Sequence, residues 1–202
     1  MKNLKLLGIA VAVALACSVA VGAGPASATV LCKTVAKPCK EDYAAGTKVS
    51  LQLPFGMDMH WTKEGLGGDT CTFSSLAGQT SNTGGVGSKV VVALSSVSWT
   101  SCGAAWETLK AGTLEIEYAN EGARNPVTFK GTEFRSGGCT YSAGTGIEAG
   151  VLTKPEPEGS AAKMYINGTF PRVAGSLACS PWARWEAIYE VTAPKPLYVA
   201  AS

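Results

Sequence analysis

From Thr47 onward the chain alternates apolar and polar residues at a period of two, and glycine-rich breaks interrupt the alternation. Only extended strands put successive side chains on opposite faces. A chain patterned this way buries one face of a sheet, and a helical architecture with its 3.6-residue period is excluded. Val49, Leu51 and Leu53 share one face of a first strand, which Pro54 ends. Met57, Met59 and Trp61 alternate with Asp58 and His60, and Leu114, Ile116 and Tyr118 with Glu115 and Glu117. Thr70 to Ser74, Lys89 to Trp99, Val127 to Phe129, Glu133 to Ser136 and Cys139 to Ser142 read as further strands. So do Ala162 to Ile166, Trp185 to Val191 and Leu197 to Ala200. About eleven to thirteen strands and no helix beyond the leader are expected. Ala77 to Ser88 and Lys154 to Ser160 read as loops, and Thr29 to Gly46 as an irregular lead-in.

The first residues have a different character. Lys2 and Lys5 precede an apolar run from Leu6 to Val21, and Ala26-Ser27-Ala28 supplies the small residues a signal peptidase reads. The run is short for a bilayer core of about 30 Å. The order predicts a secretory leader over residues 1–28, cut between Ala28 and Thr29, and a single β-rich domain over residues 29–202. Removing Lys2 and Lys5 from the 17 basic residues leaves fifteen against 15 acidic ones, so the mature chain is formally neutral. A neutral chain without charge runs lacks the basic footprint that nucleic acid or an anionic membrane requires.

Of the 7 cysteines, Cys17 departs with the leader. Cys32, Cys39, Cys71, Cys102, Cys139 and Cys179 remain, an even set that in an exported chain reads as three disulfides. Chain order favours Cys32 with Cys39, Cys71 with Cys102, and Cys139 with Cys179. The two longer loops would each contribute roughly 3–4 kcal/mol. Zinc is a poor reading, because there is no Cys-x-x-Cys and the single histidine, His60, sits in no ligand spacing. No cofactor is expected.

An internal echo supports the pairing. Gly67-Gly68-Asp69-Thr70-Cys71-Thr72-Phe73-Ser74 resembles Gly137-Gly138-Cys139-Thr140-Tyr141-Ser142, and in each half a second cysteine follows with tryptophan close behind (Cys102 with Trp106, Cys179 with Trp182). The fold expected is an all-β, disulfide-stapled antiparallel β-sandwich or flattened barrel, with two similar β-units as one arrangement of it.

Candidate chemistry is sparse. Asp58 and His60 share a strand face and could orient each other, but no nucleophile motif accompanies them. Glu115 and Glu117 stand two apart on one face, roughly 7 Å between neighbours of that kind, a spacing compatible with paired glycosidase carboxylates and equally with any wet strand face. Trp61, Trp99, Trp106, Trp182 and Trp185 would stack on sugar rings if exposed in a row, and otherwise pack a core. Asn167-Gly168-Thr169 fits a glycosylation acceptor, and Gly84-Gly85-Val86-Gly87-Ser88 is glycine-rich without a following helix. No catalytic, cofactor-binding or metal residue is assigned.

The segments Ala28-Thr29-Val30-Leu31-Cys32-Lys33, Trp185-Glu186-Ala187-Ile188-Tyr189 and Pro196-Leu197-Tyr198-Val199-Ala200-Ala201-Ser202, with the Cys-Thr-aromatic strands, resemble a group of uncharacterised secreted proteins of high-GC Gram-positive bacteria. The resemblance implies export and a β-rich domain and carries no functional residue. The expectation is a secreted or wall-associated, non-catalytic structural or binding protein, with a cell-wall polysaccharide or another extracellular protein as partner. Two alternatives stand beside it: a carbohydrate-binding module or glycan-active enzyme, and a protease inhibitor presenting the loop Lys33 to Pro38.

Overall fold

The computed structural model describes residues 28–119 and 124–201, so the leader, apart from Ala28, lies outside the described residues. Among the described residues there are strands and no helix. The first strand, β1 (Thr29–Cys32), falls inside the segment expected to be irregular. It pairs antiparallel with the last, β14 (Tyr198–Ala201), from Thr29↔Ala201 to Cys32↔Tyr198. The partner that makes β1 a strand is far away in sequence, which is why local pattern missed it.

The other twelve strands are β2 (Lys48–Gln52), β3 (Met59–Lys63), β4 (Gly67–Thr80), β5 (Val90–Cys102), β6 (Trp106–Lys110), β7 (Thr113–Ile116), β8 (Asn125–Lys130), β9 (Glu133–Ser136), β10 (Cys139–Ser142), β11 (Ile147–Thr153), β12 (Lys163–Ala174) and β13 (Trp182–Ala193). Several are halves of one longer strand. β2 and β3 both pair with β4 on one side and β13 on the other. β7 pairs with β8, and β6 with β9. β8 pairs with β11, and β9 with β10. Both β10 and β11 then pair with β12. Joined in this way, β2/β3, β4, β5, β6/β7, β8/β9, β10/β11, β12 and β13 occupy eight successive positions, and the pairing of β13 with β2 and β3 closes the ring. The result is an up-and-down antiparallel barrel, a closed form of the expected flattened one.

Closure removes the free edges of the ring except where β6 lies beside β5, since β6 pairs with β9 alone. Eight positions leave an interior just wide enough for side chains to fill, and here aromatic residues fill it. Trp61, Trp185, Phe129, Phe134, Phe170, Tyr141 and Tyr189 are fully buried, and Trp99 and Trp106 nearly so. The Trp61 ring stacks on Trp106 at 4.1 Å between centroids and meets Phe134 at 4.6 Å. Leu31 of β1 and Leu197 join this core, so the β1–β14 ribbon plugs one end of the barrel.

Two glycines let neighbouring strands approach. A Cβ on Gly78 would lie 2.3 Å from the Ala93 carbonyl oxygen, and one on Gly150 would lie 2.0 Å from that of Tyr165. Gly78 belongs to Ala77–Thr80, which was expected to be loop and instead extends β4. Its pairing with β5 overrides weak local propensity.

The disulfides are Cys32–Cys39, Cys71–Cys102 and Cys139–Cys179. They do not divide the barrel into two units. Cys71–Cys102 joins adjacent strands β4 and β5 in register, whereas Cys139–Cys179 ties β10 to the turn between β12 and β13. The echoed aromatics also part company, since Tyr141 is buried and Phe73 is exposed. Three disulfides suit an oxidising compartment.

Candidate functional site

The interior carries polar groups but no open chemistry. The hydroxyls of Ser74 and Tyr189 share a hydrogen bond of 2.5 Å. Ser74 Oγ donates onward to the Ser98 carbonyl at 2.9 Å, so Tyr189 donates to Ser74. Burial pushes the Tyr189 hydroxyl well above its ordinary pKa, and Ser74 and the indoles of Trp185 and Trp99 oppose the shift. The indole N–H groups of Trp61, Trp99 and Trp185 find no partner of good geometry among the described residues. The Tyr141 hydroxyl has none either, and burial raises it too, against the charge of Arg172.

The end of the barrel opposite the β1–β14 ribbon is closed by an ion pair. Lys63 Nζ lies 3.2 Å from Asp69 Oδ2, with both side chains about 15% exposed (14% and 15%). Trp106 Nε1 donates to the same carboxylate at 3.3 Å, and the Lys63 ammonium stands 5.0 Å from the Trp106 ring centroid. Neither Lys63 nor Asp69 was singled out from sequence. Both sit at strand ends next to a glycine turn, where charge ordinarily means solvent.

The sequence candidates separate. His60 Nδ1 lies 3.1 Å from Thr70 Oγ1, and no contact joins it to Asp58. Glu115 is held by Lys130 at 2.7 Å and Glu117 by Lys89 at 2.9 Å, so each carboxylate has its own cation. Lys89 is raised above its ordinary range, first by its hydrogen bond to Glu117, against partial burial, with the charges of Glu117, Glu115 and Glu148 adding. Four tryptophans are core residues and only Trp182 is half-buried, so no exposed row forms. Asn167 Oδ1 accepts from Arg184 Nε at 2.7 Å on the outer face of β12. The Cys32–Cys39 bridge closes the loop Lys33 to Pro38, with Val35 exposed. Among the described residues no three His, Cys, Asp or Glu side chains gather as a metal site.

The feature that stands apart is on the outer wall. Leu53 to Asp58 leaves the sheet between β2 and β3, anchored by the Leu53 N–H to the Ser74 carbonyl at 2.9 Å. Phe55 at its tip is completely exposed (103%), and Met57 is 40% exposed. Facing them, Cys71 and Ser74 of β4 are both buried three residues apart, which turns Thr72 and Phe73 outward together. Phe73 is 59% exposed. These residues line a cleft of about 450 Å³ with Asp58 and Glu190 at its side. Among the described residues neither carboxylate forms an ion pair.

Exposed Phe55, Met57 and Phe73 thus converge on one cleft. No family model, curated protein or solved structure matches the chain.

Proposed function

We propose that this chain is an exported, non-catalytic binding protein that docks an extracellular partner protein in the cleft between Leu53–Asp58 and Phe73. The observation that carries the reading is Phe55, a large aromatic side chain held wholly in solvent at the tip of an anchored bulge. Holding it there forgoes the burial energy of a phenylalanine, roughly 1.5–3 kcal/mol, while the barrel interior takes up Phe129, Phe134 and Phe170. Protruding aromatic anchors are the side chains that dominate protein interfaces. Asp58 and Glu190, unpaired beside the apolar floor, favour a partner segment that carries apolar residues next to Lys or Arg. The expected leader and the three disulfides support a site of action outside the cell.

The test uses the mature protein and isolated envelope of the producing cells. Retention on the envelope is expected, with loss after the envelope is treated with protease. Retention should also fail for a Phe55→Ser/Phe73→Ser double variant whose melting temperature is unchanged. Retention that survives protease treatment points to polysaccharide and overturns the reading, as does equal retention of the double variant.

A further inference from the structure

A second cleft, of about 460 Å³, opens on the neighbouring part of the wall and is lined by Arg124, Lys154, Lys163, Tyr165, Thr153 and Glu156, among others. The ladder explains why the cations converge. Asn125 pairs with Leu152, and both face the core. One step along, Arg124 comes alongside Thr153, and Thr153 pairs with Lys163. Side chains alternate between faces, so Arg124, Thr153 and Lys163 stand abreast on the outside across three strands. Strand spacing puts Arg124 and Lys163 roughly 10 Å apart at the backbone. Lys154 projects from the end of the same central strand. Among the described residues its carboxylate partner is Glu156, at 3.1 Å.

Two cations are thereby left over. Among the described residues, neither Arg124 nor Lys163 forms an ion pair. For Lys163 this is informative, because Glu190 is its direct cross-strand partner on β13, yet no ion pair within 4 Å joins them. Arg124 and Lys163 stand abreast with β11 between them, and two like charges held that close repel. The floor between them is Val151 and Tyr165, whose ring is 40% exposed.

We infer that this cleft is a binding site for a phosphate-bearing sugar. The phosphate would lie between Arg124 and Lys163, where the guanidinium offers a planar pair of donors and the ammonium a point charge. The sugar ring would rest against Tyr165, with the Thr153 hydroxyl within reach. The cleft volume suits a mono- or disaccharide unit. The site is independent of the Phe55 cleft and does not need the proposed partner protein.

Titration of the mature protein with glucose 1-phosphate, with a glycerol-phosphate oligomer and with uncharged glucose, followed by backbone amide NMR shifts, tests it. Shifts confined to residues 151–165 and around Arg124 are expected with the phosphorylated probes and not with glucose. Binding of glucose 1-phosphate supports the assignment, and binding of the oligomer alone, which offers no sugar ring to Tyr165, would overturn the sugar part of it. Lys163→Gln and Arg124→Gln should each weaken binding roughly tenfold or more, while Phe55→Ser leaves it unchanged. No shifts with either phosphorylated probe, equal response to glucose, or undiminished binding in both glutamine variants would overturn the assignment.

Discussion

Lys63 Nζ lies 3.4 Å from Ser136 Oγ, so a single side chain links β3 to β9, four positions away around the eight of the barrel. The same ammonium neutralises Asp69, so both charges are kept from water and depend on each other. Lys63→Met is expected to cost about 2–3 kcal/mol, because Asp69 is left with only the Trp106 N–H. Lys110→Met, which breaks an exposed pair with Glu133, should cost less than about 1 kcal/mol. Urea unfolding of the two variants side by side measures the difference, and equal midpoints would refute the role given to Lys63.

The buried phenol of Tyr189 makes stability depend on alkaline pH. In the unfolded chain it ionises near its ordinary value of 10.0, and in the fold it keeps its proton well beyond that. The unfolded state therefore binds fewer protons above pH 10, and stability falls as pH rises from there. Below pH 10 both states are protonated and this contribution is fully present. Denaturation midpoints should drop between pH 10 and 12 at up to about 1.4 kcal/mol per pH unit for this group. Tyr189→Phe should flatten the slope while costing about 1–2 kcal/mol at neutral pH through the lost bond to Ser74. A slope unchanged in that variant would assign the effect elsewhere.

Loop length ranks the disulfides. Cys71–Cys102 and Cys139–Cys179 close sequence separations of 31 and 40, against 7 for Cys32–Cys39. On the chain-entropy argument the double alanine variants should lose roughly 4 kcal/mol for each long bridge and roughly 2 kcal/mol for the short one. Guanidinium unfolding at fixed temperature gives the order. The short bridge costing most would mean that the β1–β14 ribbon, not chain entropy, governs its effect.

Gly150→Ala places a methyl against the Tyr165 carbonyl of the adjacent strand, where backbone has to move. A loss of about 1–3 kcal/mol is expected, together with shifted amide resonances in β11 and β12. Gly65→Ala offers a control, since nothing lies within 4 Å and only the positive φ of +73° opposes the side chain. The control should cost about 1 kcal/mol. A Gly150→Ala variant as stable as wild type would show that the two strands can separate without penalty.

The all-β class was legible because it depends on alternation. Leu114, Ile116, Met164, Ile166 and Trp185 all face inward, as the pattern required. Closure was not legible, since it rests on β13 meeting β2 and β3, a pairing between distant segments that no local pattern encodes. Phe73 shows the same limit at one residue. Alternation alone leaves its side open, and it points outward because Cys71 and Ser74 both turn in. Lys63 and Asp69 were passed over because charge at a turn normally faces water. The cation pair of Arg124 and Lys163 was invisible because the residues are 39 apart in sequence and become neighbours only through the β8–β11–β12 ladder.

Thr29 stands directly across from Ala201. The two ends of the described domain therefore leave from one pole, and a tether or fusion attached at either end would hold the molecule in the same orientation. A short glycine linker could join them outright. Reopening the circle at the exposed Gly65–Leu66 turn would then give a permuted chain with every rung of the ladder intact.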